Sequence, residues 1–296
     1  MDHEIEERKI YYPNGEMKMH EFYRNGKLDG ERKRWYPPLI SCQQLYEQEF
    51  YVNGRREGEY NSWHPDGQLM TRKLYRSGNL EECKEWFANG VLHMSEFFRN
   101  GKYEGECEYW YENGQLWERK FYLNGRLEGE HKVYHSNGQC KIQEHYKNGE
   151  RVGDCSAYYE DGQISEHGFY QAGKLEGEYK SWNINGRLTM RQFFRNGEVE
   201  ESAVWYDNGR FLSREFRRNG KLEGEAKFSD YSNMESEDGL GVIREFFRNG
   251  VLINEDFTIL KKLVLLYFGK RLRLNSFRKL HYPILSPFLI DDIISM

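Results

Sequence analysis

The sequence predicts an all-β chain, an elongated antiparallel β-meander or hairpin solenoid of about ten 23–24-residue repeats, with a short α-helical C-terminal cap. The first observation is the spacing of turn glycines: from Gly54 to Gly220 a longer gap alternates with a shorter one. Most of these turns read Asn-Gly, which suits a hairpin turn with two residues at positive φ. The second observation is an aromatic residue four positions before most of these glycines, in segments rich in strand-forming Tyr, Phe, Trp and Val.

Residues 97–130 show the pattern most clearly, with Asn-Gly turns at Gly101, Gly114 and Gly125. Each gap leaves room for a strand of roughly 6–8 residues and its turn, which is close to the usual strand length. The turns therefore alternate between the two edges of one sheet, and two strands make one repeat.

The difference between the long gaps predicts a β-bulge. Both 12-residue gaps have a glutamate four residues after the turn, Glu82 and Glu201. The regular 13-residue gaps have glycine at that position: Gly58, Gly105, Gly129, Gly153 and Gly177. Because the glycine and one extra residue occur together, we expect the glycine to occupy a bulge that needs positive φ.

The chain divides into a repeat region, residues 1–255, and a basic helical segment, residues 256–296. The repeats are irregular at 36–50, where YPPLISCQQ replaces a turn, and at 229–238, where an acidic, Ser-rich stretch predicts a surface loop. In the last segment Leu260, Leu263, Val264 and Tyr267 fall on one face of a predicted helix. It is interpreted as a cap on the last strand or as a basic element for a membrane surface. Its basic residues are Lys261, Lys262, Lys270, Arg271, Arg273, Arg278 and Lys279.

Composition narrows the function classes. The net charge is −5; residues 251–296 carry seven bases and four acids, so the other 250 residues carry −8. Such an acidic repeat region argues against nucleic-acid binding. The five cysteines are scattered without a CxxC pair, which favours a reducing compartment over a disulfide framework or a zinc site. With no signal peptide and no long apolar run, we expect an intracellular, cytoplasmic protein.

Aromatic residues form rows on both faces of the predicted sheet. The row four residues before each turn is expected to be the core, stacked across strands. It comprises Trp35, Trp63, Trp86, Trp110, Tyr134, Tyr158, Trp182 and Trp205 at one edge, and Phe22, Phe50, Leu74, Phe97, Phe121, His145, Phe169, Phe193, Phe216 and Phe246 at the other. The next position lies on the opposite face and is the candidate partner-binding face. Its residues are Tyr51, Tyr75, Phe98, Tyr122, Tyr146, Tyr170 and Phe194.

Other polar patterns predict structure rather than chemistry. The glutamates after the bulge glycine, such as Glu59 and Glu106, are expected to form cross-strand ion pairs with Lys73, Lys120 and Arg191. His131 and His135 would stand roughly 13 Å apart along a strand, too far to share a metal. The sequence contains no nucleotide-binding, hydrolase or metal motif. We therefore expect no catalytic residues, no cofactor and no metal.

Units such as FYLNGRLEGEHKVYHSNGQ and FYQAGKLEGEYKSWNINGR resemble MORN repeats, in the variant form found in bacterial and large DNA virus proteins. The resemblance covers roughly residues 10–255 and implies β-hairpins in an elongated sheet. It also implies scaffolding, protein–protein contact, dimerisation and, in some members, phosphoinositide or membrane association; one bacterial branch is an antitoxin family. A large DNA virus as the source, with the host cytoplasm or the virion as location, rests on this resemblance.

The predicted function is a non-enzymatic repeat scaffold or adaptor that binds a protein partner. Two alternatives stay open: peripheral association with an anionic membrane through the basic segment, and an antitoxin-like binding protein. A homodimer is also left open.

Overall fold

The structure, a computed structural model, describes residues 4–38, 40, 43–229 and 242–253. Its 28 strands form a single open antiparallel sheet in which each strand pairs with the strand before or after it along the chain or with the next but one, which confirms the predicted all-β hairpin architecture. The strands are β1 Ile5–Tyr11, β2 Met17–Arg24, β3 Lys27–Leu28, β4 Gly30–Trp35, β5 Leu45–Val52, β6 Arg55–Arg56, β7 Gly58–Trp63, β8 Leu69–Arg76, β9 Asn79–Trp86, β10 Leu92–Arg99, β11 Lys102–Tyr103, β12 Gly105–Trp110, β13 Leu116–Leu123, β14 Arg126–Leu127, β15 Gly129–Tyr134, β16 Cys140–Lys147, β17 Glu150–Arg151, β18 Gly153–Tyr158, β19 Ile164–Gln171, β20 Lys174–Leu175, β21 Gly177–Trp182, β22 Leu188–Arg195, β23 Glu198–Trp205, β24 Phe211–Arg218, β25 Lys221–Leu222, β26 Gly224–Ser229, β27 Val242–Arg248 and β28 Val251–Leu252.

Seven passes across the sheet consist of two strands each, because a glycine bulge interrupts them. Leu127 pairs with Tyr122 and Lys132 pairs with Arg119. Four residues on this pass therefore face two on β13, and Gly129 lies among the four at a φ of +74°. Only glycine adopts this conformation without steric cost.

A pass that carries glutamate in place of the bulge glycine has a smaller bulge. Val199 pairs with Phe194 and Glu201 with Phe193, so one residue is extra and β23 is continuous. The glycine form thus contains one more extra residue than the glutamate form, which explains why loss of the glycine shortens the gap by one.

The turns differ between the two edges. At one edge, the tight-turn edge, both central residues have positive φ, as a type I′ turn requires. The first central residues there are Asn25, Asn53, Ser77, Asn100, Asn124, Asn148, Ala172, Asn196, Asn219 and Asn249. In the regular turns at the opposite, wide-turn edge only the glycine has positive φ. In the turn at Gly114, for example, Asn113 uses its side-chain Oδ1 to accept the N–H of Gln115 at 3.0 Å.

Hydrogen bonds at both edges connect each repeat to the next. At the tight-turn edge the N–H groups of Asn148 and Gly149 donate to the Glu128 carboxylate at 2.7 Å and to the Leu127 carbonyl at 2.8 Å. At the wide-turn edge the Tyr111 hydroxyl donates to the Tyr134 carbonyl at 3.0 Å. Each residue of the repeat sequence Leu-Glu-Gly-Glu at 127–130 therefore has its own role. The leucine carbonyl and the first glutamate carboxylate accept hydrogen bonds from the next tight turn, the glycine forms the bulge, and the second glutamate lies on one face of the sheet.

The first irregular stretch is an enlarged wide turn. The Tyr36 N–H donates to the Gln44 carbonyl at 2.9 Å, and β4 and β5 pair beyond it in the register of the other hairpins. The predicted surface loop at 229–238 lies almost entirely outside the described residues. The predicted helical segment 256–296, with its basic residues, also lies outside them.

Candidate functional site

The sheet presents two different faces near its tight-turn edge. We call one the Tyr face: it carries the row three residues before each tight-turn glycine, which includes the seven predicted partner-binding residues. We call the other the Phe face: it carries the row four residues before the same glycines. Strand alternation assigns the two rows to opposite faces.

Buried carboxylates run along the Tyr face, five residues before the tight-turn glycines. Glu21, Glu49, Glu96 and Glu144 are each at most 9% exposed. Because a buried charge is costly unless it is paired, each of them needs partners. Arg56 donates to Glu49 at 2.9 Å, and the Tyr109 hydroxyl donates to Glu96 at 2.6 Å.

The best-connected group is formed by His131, Glu118 and Glu144. His131 Nε2 lies 2.9 Å from Glu118, and its Nδ1 lies 3.4 Å from Glu144. These two hydrogen bonds raise the pKa of His131 to about 9. Burial alone would raise the pKa of Glu144, but hydrogen bonds from His131 and Tyr146 and the charge of Arg151 lower it to about 2. The imidazolium therefore acts as a structural cation between two carboxylates.

Tyrosines and arginines supply most of the remaining partners, and the tyrosine rings pack across strands. Tyr103 stacks on Tyr122 with ring centroids 4.9 Å apart and also contacts Phe98 at 4.8 Å. Burial and the neighbouring Glu96 raise the pKa of Tyr109. The Tyr face is thus held by aromatic contacts and hydrogen-bonded carboxylates rather than by a continuous aliphatic core.

A groove of about 420 Å³ opens on the Tyr face beside Gly168. At this position, five residues before a turn, other repeats carry glutamate, lysine or glutamine. A Cβ on Gly168 would lie 2.9 Å from the Tyr179 ring, so close packing rather than positive φ requires the glycine. The groove is lined by Ile142, Glu144, Arg151, Cys155, Ala157, Glu166, Gly168, Tyr170, Leu175, Tyr179, Met190, Gln192 and Phe194.

The predicted partner-binding residues lie together on the Tyr face, at differing depths. Phe194 is buried at 8% exposure, whereas the other six are half-buried. Tyr170 and Phe194 line the groove, and the Tyr170 ring lies under the guanidinium of Arg151. Tyr51, Tyr75, Phe98, Tyr122 and Tyr146 lie further along the same face.

The prediction that the row four residues before each turn forms the core is wrong at the tight-turn edge. Six of its phenylalanines are 37% to 47% exposed: Phe50, Phe97, Phe121, Phe169, Phe193 and Phe246. The physical reason is the register, because an acid and not another ring lies opposite each of them. At the wide-turn edge the tryptophan row is half-buried.

Ion pairs do involve the glutamates after the bulge glycine, with different bases from two of those predicted. Arg191 pairs with Glu178 at 2.6 Å as expected. Arg72, not Lys73, pairs with Glu59 at 2.6 Å, and Arg119, not Lys120, pairs with Glu106 at 3.0 Å. Lys73 and Lys120 are one residue out of register and therefore lie on the Tyr face.

His135, the second histidine considered as a metal ligand, and the described cysteines are placed as structural residues. His135 Nε2 contacts the Tyr158 carbonyl at 2.9 Å, whereas His131 belongs to the carboxylate group. Cys83, Cys107, Cys140 and Cys155 are free thiols. Within the described residues no group of three His, Cys, Asp or Glu side chains is placed to hold a metal ion. The same part of the chain contains no helix long and apolar enough to cross a membrane.

Sequence reasoning missed the buried carboxylate row. Its signal was present, since glutamate recurs at Glu21, Glu49, Glu96 and Glu144, always five residues before a tight-turn glycine. From sequence alone, a charged residue at that position is expected to be exposed to solvent. Its burial becomes evident only when the Tyr, Arg and His donors of neighbouring strands are located.

Comparison with known proteins supports the repeat assignment. The family described as MORN repeat variant matches residues 7–25, 56–77, 103–124, 127–148 and 151–172. A search of curated proteins found no match.

Several solved structures share local similarity with the sheet. One is a glycosylation-associated protein (Gap123) complex from Streptococcus agalactiae, with 14% identity over 49% of this chain and a TM-score of 0.23. Two others are TcdB2–TccC3, with 10% identity over 83% and a TM-score of 0.18, and TcdB2–TccC3–Cdc42, with 10% over 81% and 0.17. The chain spans 25%, 15% and 14% of those chains, respectively. Similarity this low carries no inference about function.

Proposed function

Because this chain is a MORN-variant repeat protein, we propose that it is a non-enzymatic scaffold that binds a protein partner along its Tyr face. The observation that carries the proposal is the groove beside Gly168, where the regular row of long side chains is interrupted. Its volume of about 420 Å³ is large enough for a side chain or two of a partner.

The residues around the groove suit protein recognition. Its lining includes the apolar side chains of Ile142, Ala157 and Met190 together with Arg151 and Tyr170. The Arg151 side chain is 43% exposed although it pairs with Glu144 at 3.1 Å. Tyrosine and arginine beside an apolar pocket are the residue types that most often dominate binding energy.

A scaffold role also agrees with the way the polar groups are used. The charged residues of the Tyr face donate to or accept from one another, as His131 does between Glu118 and Glu144. Such saturated groups stabilise the sheet and leave a pre-formed surface, which lowers the entropic cost of binding.

The test compares two groove variants with a control on the opposite face. Full-length protein is used as bait, together with Tyr170→Ser, with Ala157→Leu to fill the groove, and with Phe121→Ser on the Phe face. Support requires a partner that both groove variants lose at least tenfold and that Phe121→Ser retains. A partner retained by both groove variants would overturn the proposal, provided that circular dichroism shows all four proteins folded.

A further inference from the structure

The exposed phenylalanines of the Phe face recur along the sheet, in a row that is interrupted by the half-buried Leu74, His145 and Phe216. The six most exposed, Phe50, Phe97, Phe121, Phe169, Phe193 and Phe246, are 37% to 47% accessible. Row positions in successive repeats are two strands apart, roughly 9.6 Å at about 4.8 Å per strand. Exposed rings repeated along one surface indicate an interaction site rather than isolated surface residues. We call these six residues the Phe row.

The acids opposite the phenylalanines do not determine which kind of group covers the Phe row. Five of the six acids opposite its rings already pair with a lysine or arginine: Glu106, for example, pairs with Arg119 at 3.0 Å, and Glu178 pairs with Lys180 at 2.6 Å. The rings are therefore the groups left without an equivalent contact, and an apolar occupant is expected.

Residues 254–296 of the same chain have the composition expected of such an occupant. Of residues 254–296, 22 of 43 are apolar, compared with 38% of the whole sequence. The described structure leads directly into this segment from the end of the Phe row. The Ile253 N–H donates to the carbonyl of Phe246, the last ring of the row, at 2.7 Å.

We propose that residues 254–296 pack on the Phe row of the same chain, beginning beside Phe246 and reaching at least Phe193. The two rings lie two repeats apart, roughly 19 Å, whereas 43 residues can span up to about 140 Å when extended. Tethering at Ile253 raises the effective concentration of the segment to the order of millimolar. The segment covers the Phe face and leaves the Tyr face open, so the inference does not depend on the proposed partner.

Photocrosslinking in the full-length protein tests this directly. The photoreactive residue benzoylphenylalanine replaces Phe193 in one sample and, as a control on the opposite face, Tyr170 in another. We expect cross-links from position 193 to residues 254–296 of the same chain, at least tenfold more than from position 170. Absence of these cross-links would overturn the proposal.

Two further arms distinguish other occupants. In a mixture of isotopically heavy and light protein, cross-links that join one heavy and one light chain would assign the row to a second copy and overturn packing within one chain. Vesicles containing phosphatidylserine are then added to the single-chain sample. Cross-links to lipid, with none to the segment either before or after the vesicles are added, would assign the row to a membrane and also overturn the proposal.

Limited trypsin digestion gives an independent measurement. Loss of ring contacts in Phe193→Ser/Phe246→Ser should accelerate cleavage after Lys270 and Arg271 by roughly tenfold. The matched control, Glu178→Gln, changes the same face without removing a ring and should leave the rate unchanged. Equal cleavage rates in the double variant and the wild type would contradict the proposal.

Discussion

Deprotonation of the His131 imidazolium should make the middle of the sheet less stable as the pH rises. In the folded protein its pKa is about 9, against an ordinary value of 6.5. The side chain is only 15% exposed, so solvent screens the interaction weakly. A pKa raised by folding gives stability that is complete below pH 6.5 and lost as the pH rises through 9. The difference between 9 and 6.5, at about 1.4 kcal/mol for each pKa unit, corresponds to about 3 kcal/mol.

The neighbouring groups do not reproduce this pH dependence. Glu144 has its pKa lowered to about 2, so its contribution is present above its ordinary value of 4.5 and is lost only in acid. The pKa values of Tyr146 and Arg151 are both raised, which keeps these groups protonated through this range. Lys120 pairs with Glu118 at 3.0 Å. The altered pKa values of His131, Glu118 and Glu144 describe one set of hydrogen bonds, so their energies are not added.

The assay is local, because a long repeat array does not unfold as one two-state unit. An NMR titration of the His131 ring gives its pKa. Hydrogen exchange of β15 and β16 between pH 6 and 10, corrected for intrinsic rates, gives the free energy of local opening. We expect this energy to fall by about 3 kcal/mol in the wild type and in His135→Gln, and to stay level in His131→Gln. A His131 pKa at or below 6.5, or the same pH dependence in all three proteins, would refute the reasoning.

Three further predictions concern the turns, the bulges and the thiols. Gly129→Ala places a side chain at a φ of +74° where no atom lies within 4 Å, so strain alone should lower the free energy of local opening of β15, measured by hydrogen exchange, by about 1 kcal/mol; no loss would argue against the bulge. Glu128→Ala removes the acceptor of the Asn148 N–H, and hydrogen exchange at that amide should accelerate roughly fivefold, whereas unchanged exchange would mean the cap is dispensable. Cys107 is fully buried and burial raises its pKa, so native protein should alkylate there far more slowly than at Cys140, a difference that urea should abolish.

The course of the backbone could be predicted from the sequence because short local sequence patterns determine each turn and each bulge. Asn-Gly dipeptides determine the tight turns, and the bulge at Gly129 is recognisable because its glycine and an extra residue occur together. The number of passes also follows: about 20 are expected, and the 28 strands within the described residues make 21 passes because seven passes are interrupted.

The assignment of faces required information that is not local. A phenylalanine and a glutamate have the same period in this chain, and only the cross-strand register shows that Phe121 faces Glu106 rather than a second ring. The burial of Glu144 likewise depends on donors from two other strands, His131 and Arg151. At Gly168 the space that a side chain would need is taken by the Tyr179 ring from another strand, so the groove beside this glycine depends on cross-strand packing.

The hydrogen bonds that join neighbouring repeats have a consequence for how such a chain changes in length. Asn148 bonds to Glu128, and Asn124 makes the same bond to Glu104, one whole repeat earlier in the chain. Excision or duplication of one complete unit at an equivalent point would place an identical acceptor before every donor. Loss of a half-unit would instead move every later turn to the opposite edge, so that tight and wide turns would become neighbours at the same edge. Genetic variation in this protein should therefore add or remove material in steps of one whole unit.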